Sequence, residues 1–259
     1  MRTVTHLTAL TLLCLVGNQQ AQAQPEPHIG GGVSMGELAS VRRGQPAAHK
    51  LPPDSPERCA RLSVDVTAGT QDEHSLVCSA AGEALQLLGR CNITPVRPLH
   101  VQIMSDVRRP FGEAIFGLFD VKQENVLVTK ESNVPTLVEN TPYASLPMRE
   151  FYKSLIVHEV VHGVMHQNLK RKATTHAAYE YPAYALQIQS LPPHAREKFL
   201  FSFDQAALNS NTLFHDAILF FDPYFFAARA YHHFTSAPDS CAHLTNLLAG
   251  EVAFIGPPM

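Results

Sequence analysis

The sequence predicts an α+β fold: a small mixed sheet with a β-hairpin at its edge, a central helix and a helical C-terminal half. Strand-like alternation at 62–67 and 96–104 flanks helical spacing at 73–89, which together make a β-α-β unit. Such a unit is expected to pair its strands in parallel through a right-handed crossover. Two short apolar runs, 115–120 and 126–129, surround a polar connector and predict the hairpin.

The central helix is predicted to begin near Leu146, with Ser145 as its N-cap, after a loop rich in Asn, Thr and Pro. Asp222-Pro223 is a further start signal, because an N-cap side chain is followed by proline at the first helical position. Helices are therefore expected after the central one at about 176–191, 194–208 and 223–235.

The N-terminus predicts export. Arg2 precedes an apolar run from Leu7 to Val16, and Ala21-Gln22-Ala23 forms a small-residue cleavage site, so residues 1–23 are predicted to be a secretory signal peptide. Residues 24–57 are rich in Gly and Pro and predict an extended or disordered leader. The remaining residues, 58–259, are predicted to form a single domain in a periplasmic or secreted protein.

Cysteine usage agrees with export. Removal of Cys14 with the signal peptide leaves Cys59, Cys78, Cys91 and Cys241, an even number that predicts two disulfides, with buried free thiols as the alternative. Three connectivities are possible. Because the helix of a β-α-β unit returns the chain to the start of the first strand, we expect Cys59–Cys91, which leaves Cys78–Cys241.

Charge and hydropathy exclude two classes of partner. The net charge is −3 and the sequence pI is about 6.5, so neither a nucleic-acid surface nor a basic membrane-binding face is indicated. After the signal peptide no run of 18 uninterrupted apolar residues occurs, so no membrane span is predicted. The sequence predicts no particular oligomeric state.

Residues 158–162 read His-Glu-Val-Val-His and constrain the chemistry most tightly. Positions i and i+4 share a helix face, so His158 and His162 can bind one zinc ion, and Glu159 can reach a water on that metal. Apolar residues fill most of the remaining surface of this helix, which predicts burial. Three buried ionisable groups are costly unless a cation satisfies them. The alternative is that the pentapeptide is structural.

This helix resembles that of the zincin metallopeptidases, which carry the same pentapeptide after a twisted sheet whose edge strand lies along the substrate cleft. Branches with a histidine as third ligand have Gly and His three and six residues after the second His, where this chain has Met165 and Asn168. The gluzincin branch, which includes thermolysin and related aminopeptidases, takes a Glu some 18 to 20 residues after it. Glu180 stands 18 residues after His162.

The resemblance therefore implies Glu180 as the third zinc ligand. His166 is the first competitor, but two i+4 steps rotate it roughly 80° from His158. His176 is the second, and it follows a polar connector that predicts exposure. Pro182 requires that the helix carrying Glu180 either kinks there or begins close to Glu180.

The resemblance also implies the activity, which is peptide-bond hydrolysis by a zinc-bound water with Glu159 as general base. Gluzincins stabilise the oxyanion with a Tyr or His from a later helix; here Tyr224, Tyr231, His232 and His233 are available, and Tyr231 ranks first and His233 second. The hairpin edge could hold a peptide or protein substrate by main-chain hydrogen bonds. The alternative is a catalytically inactive zinc-binding module that acts as an interaction protein.

Overall fold

The computed structural model describes residues 56–108, 112–170, 175–208, 214–252 and 254. The predicted signal peptide and nearly all of the predicted leader lie outside these residues. Within them the fold is α+β, with a small sheet and many helices. The strands are β1 (Glu57–Arg58), β2 (Val64–Thr67), β3 (Leu99–Met104), β4 (Val107–Arg108), β5 (Ala114–Ile115), β6 (Gly117–Asp120) and β7 (Asn125–Thr129).

The helices lie mostly in the second half, as predicted. Short 3-10 turns at 131–133 and 142–145 precede the central helix. The α-helices are α1 (Gln71–Gly89), α2 (Val134–Val138), α3 (Met148–Asn168), α4 (His176–Ser190), α5 (Pro193–Leu200), α6 (Gln205–Leu208), α7 (Asp216–Phe221), α8 (Pro223–Ser236) and α9 (Ser240–Ala249).

The main sheet is mixed, with strand order β1-β2-β3-β7-β6 in the described residues. β2, β3 and β7 are parallel, whereas β1 and β6 are antiparallel to their neighbours. Val66, Val101 and Val126 lie side by side across the three parallel strands and are almost fully buried. The predicted parallel β-α-β unit is therefore confirmed, and its strands bury one apolar face.

The predicted β-hairpin is also confirmed. β6 and β7 pair antiparallel from Gly117 opposite Val128 to Asp120 opposite Asn125. Asp120 shapes the connection, since its carboxylate accepts hydrogen bonds from the Lys122 and Gln123 amides at 2.8 and 3.2 Å. β6 is the last strand of the sheet order, so its outer side forms an edge of the sheet.

The central helix, α3, begins two residues later than predicted. The predicted N-cap, Ser145, lies in the preceding 3-10 turn instead, and Pro147 stands at the N-cap position. Leu146 is extended because a residue that precedes proline is excluded from the helical region. α3 then packs against the sheet, where Gly163 approaches β3 so closely that a Cβ would lie 2.9 Å from Leu99 Cδ2.

The next helix, α4, begins at His176 and continues through Pro182, so it does not start near Glu180. Thr175 caps it by accepting a hydrogen bond from the Ala178 amide at 3.1 Å. Asp216 at the start of α7 adds a second cap, because its carboxylate accepts from the Ala177 amide at 2.7 Å. These caps fix the first turn of α4, which carries the residues around Glu180.

The prediction of one continuous helix at 194–208 is wrong, because the helix is interrupted between α5 and α6. Asp204 starts α6 by accepting a hydrogen bond from the Ala206 amide at 2.9 Å. The break turns the Phe203 ring toward Phe199 and Phe225, at centroid distances of 5.3 and 6.2 Å. The start signal at Asp222 is confirmed, since its carboxylate accepts from the Phe225 amide at 2.9 Å.

The predicted disulfide pairing is wrong: Cys59 bonds to Cys78, and Cys91 bonds to Cys241. The four residues of β2 span about 13 Å, whereas the 19 residues of α1 span about 28 Å. The middle of α1, where Cys78 lies, is therefore level with the start of β2 and with Cys59. The C-terminal end of α1, followed by Cys91, extends beyond β2, and Cys91 bonds to Cys241 on α9.

No helix within residues 56–108, 112–170, 175–208 and 214–252 combines the length and the apolar character that crossing a bilayer requires.

Candidate metal centre

Two adjacent helices bring together the three residues that the sequence singles out. His158 and His162 project from α3, and Glu180 projects from α4. The two Nε2 atoms are 3.0 Å apart, and each lies 3.3 Å from Glu180 Oε2. Both imidazoles are more than nine-tenths buried, while the Glu180 side chain retains 28% exposure. These three residues are called the triad.

The triad has the dimensions of a zinc site. Ligands at Zn–N and Zn–O distances of about 2.0–2.2 Å in a tetrahedron lie about 3.3–3.5 Å from one another. The three observed separations, 3.0, 3.3 and 3.3 Å, come close to that spacing. Two histidines and one carboxylate also form a donor set that leaves the fourth position open, as in catalytic zinc sites. The residues present therefore fit a zinc ion.

Electrostatics keep the Glu180 carboxyl group ionised. Burial acts to raise the pKa of the Glu180 carboxyl, but the imidazoles of His162 and His158 outweigh burial and hold that pKa below its usual range. A carboxylate that stays anionic near neutral pH is the form that binds a metal.

Glu159 lies beside the triad with its carboxyl group against strand β6. It is 8% exposed and accepts a hydrogen bond from the Phe119 backbone amide. Burial raises the pKa of Glu159 to about 7; His158 opposes this shift, Glu180 adds to it, and the Phe119 amide opposes it. A carboxyl group that titrates near neutral pH can take up and release protons there.

Residues 64–257 match the sequence profile of the Family of unknown function (DUF6639). The chain belongs to this family. The matched residues of this DUF6639 protein run from β2 past the end of α9 and so include the triad and Glu159. No curated protein and no solved structure matches the chain.

Two residues of the DUF6639 protein orient the imidazoles, and the sequence interpretation missed both. His158 Nδ1 is 2.9 Å from Gln187 Oε1, so an N–H at Nδ1 donates to the carboxamide and leaves Nε2 free for a metal. The His162 ring instead stacks on Tyr179, with centroids 4.4 Å apart and planes inclined by 13°. Gln187 was detectable, because it lies seven residues after Glu180 on the same helix face.

Gly117 on the edge strand β6 lies very close to the Glu159 side chain. A Cβ on Gly117 would lie 2.7 Å from Glu159 Cγ and 2.8 Å from its Oε1. Real Cβ atoms do not come so close, so Gly117 is required for the observed position of this carboxyl group. The sequence contains no signal for this contact, since Gly117 and Glu159 are 42 positions apart along the chain.

The two competing ligands lie away from the triad. His176 is exposed at the start of α4, with its ring 5.5 Å from that of Phe220. The His166 ring packs 5.3 Å from that of Phe119, one turn beyond His162. Both positions agree with the sequence reasoning, which ranked Glu180 above these two histidines.

The two predicted oxyanion donors on α8 contact residues outside the triad. Tyr231 lies under the Arg196 guanidinium, whose central carbon is 5.5 Å from the ring centroid. His233 Nδ1 is 2.7 Å from the hydroxyl of Tyr181, on another face of α4 from Glu180. Their catalytic role stays a prediction.

Cys59, His74 and Cys78 form a second group with potential ligand atoms within 4.8 Å of one another. The two sulfur atoms are bonded to each other as a disulfide, so they are not thiolate ligands. Among the described residues, the triad is therefore the better candidate metal centre.

The hydrogen bond between Gln187 and His158 leads to a testable prediction about zinc affinity. Gln187→Leu should lower the zinc affinity of the protein by about 10- to 100-fold, as loss of an outer hydrogen-bond partner of a ligand commonly does. Gln187 is 1% exposed, and leucine has a similar size. Zinc affinity would be measured by competition with a chelator. Gln189→Leu on the same helix is the matched control, and equal affinities for the two variants would remove Gln187 from the site.

Proposed function

We propose that this protein is an exported zinc-dependent peptidase whose residues 58–259 form a zincin-like domain of the gluzincin type. One observation carries the proposal: His158, His162 and Glu180 converge at zinc-ligand spacing beside the carboxyl group of Glu159. The two disulfides support export, because such bonds persist in oxidising compartments.

The triad would hold the metal, with Gln187 and Tyr179 orienting the two imidazoles. When bound, zinc supplies a Lewis acid that acidifies a water molecule and polarises the scissile carbonyl. His158 presents Nε2 because its Nδ1 side is engaged by the carboxamide.

Glu159 moves the proton. As the water oxygen attacks the carbonyl carbon, Glu159 accepts the proton that the water loses. When the C–N bond breaks, Glu159 passes this proton to the leaving amine nitrogen. Its pKa of about 7 suits both steps, because a group that titrates near the working pH can accept and donate. The Phe119 amide holds the carboxyl group in place between the steps.

The substrate is a peptide or protein held along the outer side of β6. Extended peptides add to exposed strand edges through main-chain hydrogen bonds. β6 ends the sheet order and lies directly against Glu159 at Gly117 and Phe119. A peptide paired with this edge would therefore pass close to the proposed general base.

Glu159→Gln tests the proposal most directly. The amide cannot accept the proton, so hydrolysis of a mixed peptide library should fall by about 10²- to 10⁴-fold, whereas zinc content should remain at that of the wild type. Zinc would be measured by elemental analysis and cleavage by mass spectrometry. Glu150→Gln, on the same helix and paired with His194, is the matched control.

The outcomes separate the proposed peptidase from its rivals. A wild-type protein that binds zinc but cleaves none of the library peptides would instead support an inactive zinc-binding module. A purified protein without affinity for zinc would exclude both functions.

Gly117→Ala provides an independent test of the position of Glu159. The new methyl group would displace the carboxyl group, and a shift of about 1 Å in a catalytic group can cost about a hundredfold in rate. We expect normal folding and zinc content with strongly reduced hydrolysis. Gly89→Ala is the control, because a Cβ there meets no atom within 4 Å. Full activity of Gly117→Ala would show that the contact has no catalytic consequence.

A further inference from the structure

Tyr179 has an unusual position beside the triad. It immediately precedes Glu180 on α4, and its ring lies face to face with that of His162 at a centroid distance of 4.4 Å. Tyr179 is therefore fixed with respect to both helices of the site. It is the backbone neighbour of Glu180 on α4, and its ring stacks on His162 of α3, so the ring has less freedom than that of a surface tyrosine.

The hydroxyl of Tyr179 is buried and has no hydrogen-bond partner within the described part of the chain. Native proteins pair nearly all buried polar groups, so each exception calls for a specific cause. A phenol is a donor as well as an acceptor. The Tyr179 proton therefore has no acceptor in the protein alone, which is the condition expected of a donor kept for a ligand.

Comparison with other tyrosines singles out this hydroxyl. Tyr143 and Tyr152 also have buried hydroxyls without a partner among the described residues. The Tyr143 ring packs against Phe151 and Phe199, whereas the Tyr179 ring stacks on a triad residue, His162. Of these three unpartnered hydroxyls, that of Tyr179 is thus the one whose ring the structure shows in contact with the candidate metal centre.

We propose that Tyr179 donates the hydrogen bond that stabilises the oxyanion during hydrolysis, an inference that rests on the proposed peptidase function. When water attacks the carbonyl carbon, the electron pair of the C=O π bond moves onto the carbonyl oxygen. This oxygen becomes the acceptor that the Tyr179 hydroxyl lacks. The pair returns as the C–N bond breaks, the amine receives its proton from Glu159, and Tyr179 keeps its own proton throughout.

This assignment replaces Tyr231 as the first candidate. Tyr231 itself lies under the Arg196 guanidinium, whereas Tyr179 is in contact with a triad residue. A donor needs a fixed position close to where the charge develops, because its effect depends on not having to reorganise. Stacking on His162 provides this fixed position.

Tyr179→Phe is the decisive variant, since it removes the hydroxyl and keeps the ring on His162. We expect zinc content equal to that of the wild type and affinity for methylphosphonate, a tetrahedral oxyanion, weakened about tenfold or more. Turnover of a cleaved peptide should fall on the order of a hundredfold at nearly constant KM. Calorimetry gives the methylphosphonate affinity without any need for catalysis.

Tyr231→Phe is the matched comparison. The proposal is overturned if Tyr231→Phe, and not Tyr179→Phe, weakens methylphosphonate binding. It is overturned equally if Tyr179→Phe loses zinc, because the hydroxyl would then support metal binding rather than the oxyanion, or if the zinc-loaded wild type does not bind methylphosphonate. A further outcome is that the wild type cleaves no peptide but binds methylphosphonate more tightly than Tyr179→Phe does. This outcome contradicts the proposed reaction and supports the role of the hydroxyl as a hydrogen-bond donor.

Discussion

Glu180→Ala should reduce zinc affinity by more than about a hundredfold, because even the loss of an outer hydrogen-bond partner commonly costs 10- to 100-fold. The variant retains two imidazoles whose Nε2 atoms are 3.0 Å apart and loses the carboxylate that lies 3.3 Å from each of them. Two neutral donors provide no negative charge to offset that of the metal. After dialysis, elemental analysis should find one zinc per wild-type chain and almost none in the variant.

Two histidine variants serve as controls for Glu180→Ala. His166→Ala and His176→Ala should keep full zinc content, because these side chains contact Phe119 and Phe220 rather than the triad. Full occupancy of Glu180→Ala would remove Glu180 from the site.

Zinc-dependent stability gives a second measurement on the same proteins. At a free zinc concentration 100 times the Kd, binding should raise the free energy of unfolding by about 2.7 kcal/mol. The wild type and both histidine variants should show this increase. Glu180→Ala should not show it, because its Kd lies far above the same zinc concentration.

Removal of the Cys91–Cys241 disulfide should destabilise the protein more than removal of Cys59–Cys78. The first pair is separated by 150 residues and the second by 19. Since a crosslink restricts the unfolded chain more when it closes a longer loop, the expected losses are about 5 and about 3 kcal/mol. Denaturant unfolding of the two paired Cys→Ser variants would measure the difference.

The pairing itself is tested by mass spectrometry of a non-reduced digest. Peptides that contain Cys59 and Cys78 should be linked, as should those that contain Cys91 and Cys241. A Cys59–Cys91 link would restore the pairing expected from the sequence. Equal stability losses for the two variants would contradict the loop-length argument.

Local patterns predicted much of the fold. The parallel β-α-β unit, the hairpin and α8 follow from alternation, helical spacing and the Asp222-Pro223 signal, which all act between near neighbours in the chain. The α9 helix was missed although its signals are present: Asp239 caps its start, and Gly250 ends it at a φ of 74°. Prediction of the helix interruption after α5 would have required knowledge of how Phe203 packs against Phe199 and Phe225.

The sequence by itself determined which residues could bind a metal. The i, i+4 spacing of His158 and His162 places them on one face of any helix. Glu180 was predicted from the resemblance to the gluzincins, whose third ligand follows the second histidine at a similar distance. Their separations of 3.0 and 3.3 Å agree with that expectation. The placement of the two histidines on one face depends only on helix geometry, which is the same in every protein, and metal binding by all three residues stays a prediction.

Only the tertiary structure decided what surrounds these residues. Cys59 pairs with Cys78 because α1 is about twice as long as the strand it packs on. Gly117 meets Glu159 because the edge strand lies against α3, and Tyr179 rather than Tyr231 lies beside His162 because of how α4 packs on α3. Each contact joins segments whose relative position depends on element lengths and packing, which no local pattern specifies.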